Sequence, residues 1–150
     1  MRQRMAPRAI LGLCLVTAFA ARARAGELVV RIHGLEPGRG VVEVDLFDAS
    51  KREAFPYTER GDTAELHVRV GASSEAAVSF GEVPAGRYAL VVIDDANANG
   101  DLDRNALGVP TEPYGFSNGA RPVFRAPTFD EAAIAVAAGA PTLTDVVLRR

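Results

Sequence analysis

From Glu27 onward apolar residues alternate with polar ones instead of recurring every three or four positions: Leu28, Val30 and Ile32, then Val42, Val44 and Leu46 beyond the turn Pro37-Gly38-Arg39-Gly40. A period of two belongs to a strand with one buried face, so these runs predict a hairpin. Further alternating runs stand at Ala64, Leu66, Val68 and Val70, at Val78 and Phe80, at Tyr88, Leu90 and Val92, at Ile134 and Val136, and at Val146 and Leu148. Between Tyr88 and Ile93 the intervening positions Ala89, Val91 and Ile93 are apolar too. A run apolar in both registers marks a strand covered on both sides, so this one is expected at the centre of its sheet. The strands predicted are 27–34, 41–47, 63–70, 76–81, 86–94, 131–137 and 142–149. No stretch after the N-terminal segment keeps a helical period, and Ser50 to Ala54 and Phe129 to Ala133 offer a single turn each. The expected fold class is therefore all-β: one antiparallel β-sandwich of about seven strands, of immunoglobulin or transthyretin type.

The rhythm breaks between Asp94 and Asp130, where a long stretch rich in Gly, Pro, Asn and aromatics separates the fifth predicted strand from the sixth. Connections of that length inside a compact domain are unusual and often functional. If the strands alternate in direction, the loops after strands one, three and five share one pole. Gly34 to Gly40 and Gly71 to Glu75 are then expected beside the insertion.

The chain has 150 residues, 48% hydrophobic and 24% charged, an ordinary globular composition. Its first 25 residues read differently. Arg2, Arg4 and Arg8 precede an apolar stretch from Ala9 to Ala21, and Ala23-Arg24-Ala25 stands before Gly26, the order of a secretory signal peptide. The apolar stretch is shorter than the roughly 20 residues a membrane span requires, so cleavage after Ala25 is expected, with no transmembrane segment afterwards. Cys14 lies inside that stretch instead of ending it, which argues against lipidation. The expected domains are thus 1–25, signal peptide, and 26–150, the β domain. Removing the five arginines of the leader leaves 12 basic against 19 acidic residues, a net charge of −7. An acidic domain with Lys51 as its single lysine makes a poor nucleic-acid binder. It also has no cysteine, hence no disulfide and no thiol nucleophile, and its core alone must hold it. A periplasmic or secreted monomer is expected.

The insertion begins Asp95-Ala96-Asn97-Ala98-Asn99-Gly100-Asp101-Leu102-Asp103. Oxygen-bearing side chains at the first, third and fifth positions, Gly at the sixth, an apolar residue at the eighth and Asp at the ninth match the start of an EF-hand-type Ca²⁺ loop. Such an ion takes six to eight hard oxygens, and Gly permits the left-handed backbone that closes the turn. The expected ligands are Asp95, Asn97, Asn99 and Asp103 through side chains and Asp101 through its carbonyl. The twelfth position departs from the pattern: Ala106 stands where a bidentate Glu is needed. Asp94, a directly ligating Asp103 or a carboxylate from another loop has to substitute. The competing reading is a polar Asx-rich turn with no ion.

Three segments carry a family resemblance: Val83-Pro84-Ala85-Gly86-Arg87-Tyr88-Ala89, the run from Asp94 to Asp103, and Leu107-Gly108-Val109-Pro110-Thr111-Glu112-Pro113-Tyr114-Gly115-Phe116-Ser117-Asn118 together with Pro127-Thr128-Phe129-Asp130-Glu131-Ala132. The chain resembles the bacterial exported family known as domain of unknown function 2141, from about Glu27 to Leu148. The resemblance implies a small exported β-sandwich and implies no activity.

No nucleophile motif accompanies His33 or His67, and two isolated histidines do not make a zinc site, so both are expected on strand surfaces. Tyr114, Phe116 and Phe124 are read as anchors of the insertion, with a sugar-binding platform as the alternative. Asn118 and Arg121 suit ligand recognition or turn structure equally. No enzyme is expected. The functional expectation is an exported binding or structural module of the bacterial envelope, its long loop ordered by Ca²⁺, acting on an envelope protein or glycan. The alternatives are a carbohydrate-binding module, or a hydrolase using Asp94, Asp95 and Glu112 as paired carboxylates.

Overall fold

The computed structural model describes residues 25–38, 40–57, 66–71, 75–121 and 123–150. Of the expected 1–25 leader, residues 1–24 lie outside the described residues, and Ala25 is the first residue of a strand. The described chain is all-β and forms two sheets. Strands β1 (Ala25–His33), β4 (Glu75–Pro84) and β8 (Thr142–Val147) make the smaller, in the order β4-β1-β8. The larger runs β3 (Leu66–Gly71), β2 (Val41–Asp48), β5 (Gly86–Asp95) and β6 (Tyr114–Phe116), with β7 (Ile134–Val136) also on β5.

Alternation has the consequence expected of it. In β1, Leu28, Val30 and Ile32 are fully buried while Glu27 and Arg31 are exposed. These residues meet Val42, Val44 and Leu46 of β2 and Leu90 and Val92 of β5 in an apolar cluster that both sheets share. Burying each such side chain contributes roughly 1.5–3 kcal/mol. β5 is central, as its double apolar register requires. It pairs with β2 along one edge, and along the other with β6 near its C-terminal end and β7 near its start. Its second face, Ala89, Val91 and Ile93, packs with Phe47 against Phe55, Phe129 and Ala132, which come from outside the strands.

Four expectations need correction. The runs 27–34 and 41–47 do not form a hairpin: β1 pairs with β4 and β8 in the smaller sheet and β2 with β3 and β5 in the larger, so their apolar faces meet across the core instead of along a shared edge. β8 runs parallel to β1, Leu28 opposite Thr142 and His33 opposite Val147, so the strands are not all antiparallel. Alternation fixes which side chains face inward and says nothing about strand direction. Eight strands are described instead of about seven, because β6 is a three-residue strand centred on Gly115, too short to carry a period. A Cβ at Gly115 would stand 2.8 Å from the Val147 carbonyl oxygen, which is why the position takes no side chain. The predicted strand 131–137 is shortened to β7, since its start is the helical turn α1 (Phe129–Ala132). Thr128 and Glu131 form a reciprocal capping box there that commits those residues to helix. Among the described residues no helix is long and apolar enough to cross a membrane.

β5 ends at one pole of the larger sheet, where Val41 opposite both Gly71 and Asp95 shows that β2 begins and β3 ends. The loop after β1 reaches the same place. The Glu36 N–H donates to Asp94 Oδ2 at 2.7 Å, and Gly40, at φ 61°, lies so close that a Cβ there would sit 1.8 Å from the Asp95 carbonyl oxygen. The shared pole is thus as expected for 34–40, while residues 72–74 lie outside the described set.

Candidate functional site: the polar loop after β5

Consecutive strand residues point to opposite faces, so Asp94 and Asp95 part company at the end of β5. Asp94 serves the 34–40 loop, and Asp95, fully buried, turns into the insertion. Asp95 Oδ2 accepts the Gly100 N–H at 2.7 Å and Oδ1 accepts the Asn99 N–H at 3.2 Å. Gly100 holds φ 85°, the left-handed region that closes the turn. Two Asx turns follow in series: Asn97 Oδ1 accepts the Asn99 N–H at 3.0 Å, and Asn99 Oδ1 accepts the Asp101 N–H at 2.8 Å. The side-chain amides of the same two residues converge on one carboxylate, Asn97 Nδ2 donating to Asp103 Oδ2 at 2.7 Å and Asn99 Nδ2 to Asp103 Oδ1 at 3.0 Å. Asp95, Asn97, Asn99 and Asp103 are therefore one connected group, and Asp101 joins it through its N–H, its side chain exposed.

Glu112 completes the loop. It is 5% exposed, and its two oxygens bridge the ends of the polar turn, Oε1 accepting the Ala96 N–H at 2.8 Å and Oε2 the Asp103 N–H at 3.0 Å. A carboxylate later in the chain thus fastens the loop through main-chain donors. Ala106 itself lies exposed at the tip of a small hairpin, in which Asn105 Oδ1 accepts the Leu107 and Val109 N–H groups and the Thr111 N–H donates to the Asp103 carbonyl. No local pattern announces the role of Glu112, because its partners are main-chain groups nine and sixteen residues away. The chain then returns to the sheet, Asp94 N–H donating to the Pro113 carbonyl and Tyr114 exchanging main-chain hydrogen bonds with Arg149.

The other candidates are dispersed. Tyr114 and Phe116 are half-buried, their rings 5.7 Å apart and inclined at 77°, with Phe55 6.0 Å from Phe116. This is the anchoring arrangement and not a coplanar sugar platform. Phe124, expected as a third anchor, is instead fully exposed at φ 68°. Asn118 has a turn role, at φ 55°, its amide donating to the Glu131 carbonyl at 3.0 Å, while Arg121 is exposed. His33 lies on the open face of the smaller sheet and shares Asp145 with Arg31, at 2.8 and 2.6 Å. Those contacts hold the Asp145 carboxyl below its ordinary range, Arg31 contributing most. His67 stands opposite Asp45 in the β2–β3 register. Two open clefts of about 460 Å³ each lie elsewhere, one at the β4–β5 turn and one between Phe55 and Pro127.

A model of one bacterial family matches residues 30–144, nearly all of the described chain. The chain belongs to domain of unknown function 2141. That family is described as an uncharacterized protein conserved in bacteria. The matched range includes the 95–112 loop. No curated protein and no solved structure matches the chain.

Whether the loop suits a metal ion is a question of lone pairs. Among the described residues no group of three or more His, Cys, Asp or Glu is placed to hold an ion. Acidic side chains alone therefore do not make a cage. A carboxylate, however, has about four acceptor sites, and Asp95 and Glu112 each use two in the hydrogen bonds described. The donor set is all oxygen, which suits a hard cation. Asp103 accepts the two asparagine amides, one on each oxygen, and by the same count keeps two acceptor sites.

Proposed function

We propose that the protein is an exported, non-enzymatic binding or structural module of the bacterial envelope, an immunoglobulin- or transthyretin-like sandwich whose 95–112 loop forms the working surface and is tightened by Ca²⁺. The observation that carries this reading is the burial of Asp95 and Glu112 in a loop whose polar groups close on one another. Carboxylates are costly to bury unless paired or hydrogen-bonded, and a loop built around two of them is organised well beyond a simple connection. The shared apolar cluster between the two sheets supports the sandwich assignment. The basic start, apolar stretch and small-residue step before Gly26 support export.

Ca²⁺ would be held by Asp95, Asn97, Asn99 and Asp103 with the Asp101 carbonyl, and Glu112 would hold the loop ends at the right separation. Expected affinity is on the order of 10⁻⁴ to 10⁻³ M, the range of extracellular modules. At a hundred times that dissociation constant the folded state gains roughly 2.7 kcal/mol. Calorimetry and thermal melts with calcium, magnesium and chelator test this, with Asp95→Ala and Asp103→Ala as controls. An absence of calcium-dependent heat or melting shift at millimolar concentrations leaves the loop a self-sufficient polar turn.

A further inference from the structure

We infer that the Asn99-Gly100 step is a self-modification site, at which the Gly100 nitrogen closes on the Asn99 side-chain carbonyl carbon to form a succinimide. An Asn-Gly step is the chemically open case, because glycine puts no Cβ beside the attacking nitrogen. Here the fold adds groups that the reaction needs. Asp95 Oδ2 lies 2.7 Å from the Gly100 nitrogen, within the reach of a general base, and its carboxylate is buried. The Asp101 N–H lies 2.8 Å from Asn99 Oδ1, the oxygen on which negative charge develops, inside the range of an oxyanion donor. The departing nitrogen, Asn99 Nδ2, is held by Asp103 Oδ1 at 3.0 Å. Base and polarising donor thus meet on a single amide, whose orientation the Asp103 contact fixes.

The Gly100 N–Asn99 Cγ bond forms and the Asn99 Cγ–Nδ2 bond breaks. Asp95 takes the proton from the Gly100 nitrogen and releases it through solvent to the departing group, which leaves as ammonia. Water then opens the five-membered ring on either side, giving aspartate or isoaspartate at position 99, with no oxidant or reductant consumed. The chain carries its own comparisons. At Asn97 the Asx turn and the Asp103 contact recur, but the next residue is Ala98, whose N–H meets only the Asp95 main-chain oxygen at 3.4 Å. At Asn118-Gly119 the dipeptide recurs and its side-chain amide is likewise held, by the Glu131 carbonyl, but among the described hydrogen bonds no carboxylate meets the Gly119 N–H as Asp95 meets that of Gly100.

The test is peptide mapping of the full chain aged near neutral pH in the presence of chelator, so that the result is independent of the calcium reading. Acid and isoaspartate at Asn99, Asn97 and Asn118 are followed in the folded protein and in urea. Conversion at Asn99 is expected to be at least about tenfold faster than at Asn118 in the folded protein, and faster folded than unfolded. Folded Asp95→Asn is expected to lose that advantage. Should Asp95→Asn not fold, the wild-type comparison between buffer and urea decides alone. Conversion at Asn99 no faster than at Asn118, or slower folded than in urea, overturns the assignment, as does an undiminished rate in folded Asp95→Asn.

Discussion

Irregular chain meets the central strand β5 in two places, and it is fastened there by opposite means. Beyond the end of β5 the 95–112 loop is held from inside: Asp95 and Glu112 are buried and their oxygens take main-chain N–H groups. Beside the start of β5, α1 is held by an apolar underside, Phe129 and Ala132, with Phe129 edge-on to Phe55 at 6.2 Å. Its carboxylates face outward, Asp130 paired with Arg52 and Arg87 and Glu131 with Arg125. Exposed pairs are screened and contribute little, whereas a buried donor that loses its acceptor costs its full desolvation. The acidic groups that look alike in the sequence are therefore unequal: Asp95 and Glu112 are buried acceptors of main-chain donors, whereas Asp130 makes exposed ion pairs and Glu131 caps α1 from the surface.

The comparison breaks most visibly at the pole. Gly40→Ala puts a Cβ against the Asp95 carbonyl oxygen at a left-handed backbone position, and is expected to destabilise the fold by roughly 3 kcal/mol or more. Gly108→Ala, equally left-handed but with open space around it, should cost only about 1–2 kcal/mol. Urea denaturation of the two variants side by side checks it, and similar costs would deny that close approach matters at this pole. Next in size is Glu112→Ala, which strips the acceptors from two main-chain donors and should cost roughly 2–3 kcal/mol. The counterpart Asp130→Asn should cost less than about 1 kcal/mol and lose even that in high salt. If Asp130→Asn proves the costlier of the two, the contrast between inside and outside fastening is wrong.

How far the sequence foretold this follows from the range of each interaction. Burial in β1 and β5 was legible because alternation is written every two residues, and the doubled register of β5 marked it as central; β2 is buried on both faces, Glu43 and Asp45 included, which its alternating run did not announce. The direction of β8 was not legible, since a strand buries the same residues whether it runs parallel or antiparallel to β1. β6 was hidden because three residues around Gly115 have no period and become a strand only by pairing with β5. In the loop, the chain from Asp95 to Asp103 was visible as spaced oxygens. Glu112 stood out only as a candidate catalytic carboxylate, and its role in fastening the loop was not legible, because its partners are main-chain donors that any residue supplies. Phe124 went the other way: an aromatic in a long loop suggests an anchor, and nothing local reveals that the backbone turns it outward.

The smallest effect, and the sharpest measure of the α1 side, is the titration of Glu131. Arg125 first, then the Thr128 main-chain N–H, hold its carboxyl down from 4.5 to about 2. A carboxyl lowered by folding binds fewer protons in the folded state than in the unfolded one. Its stabilisation is therefore complete above the ordinary value and disappears as pH falls from 4.5 through about 2. Because the group faces solvent, the expected signature is local: the capping box of α1 should persist in moderately acidic solution and open only near the lower limit. Site-resolved NMR titration should find the Glu131 midpoint far below that of an unpaired glutamate. Arg125→Ala should raise it, though short of the ordinary value, because the Thr128 N–H remains at 2.8 Å. An ordinary midpoint in the folded wild type would mean that the Arg125 pair does not persist in solution, and the apolar underside would then hold α1 alone.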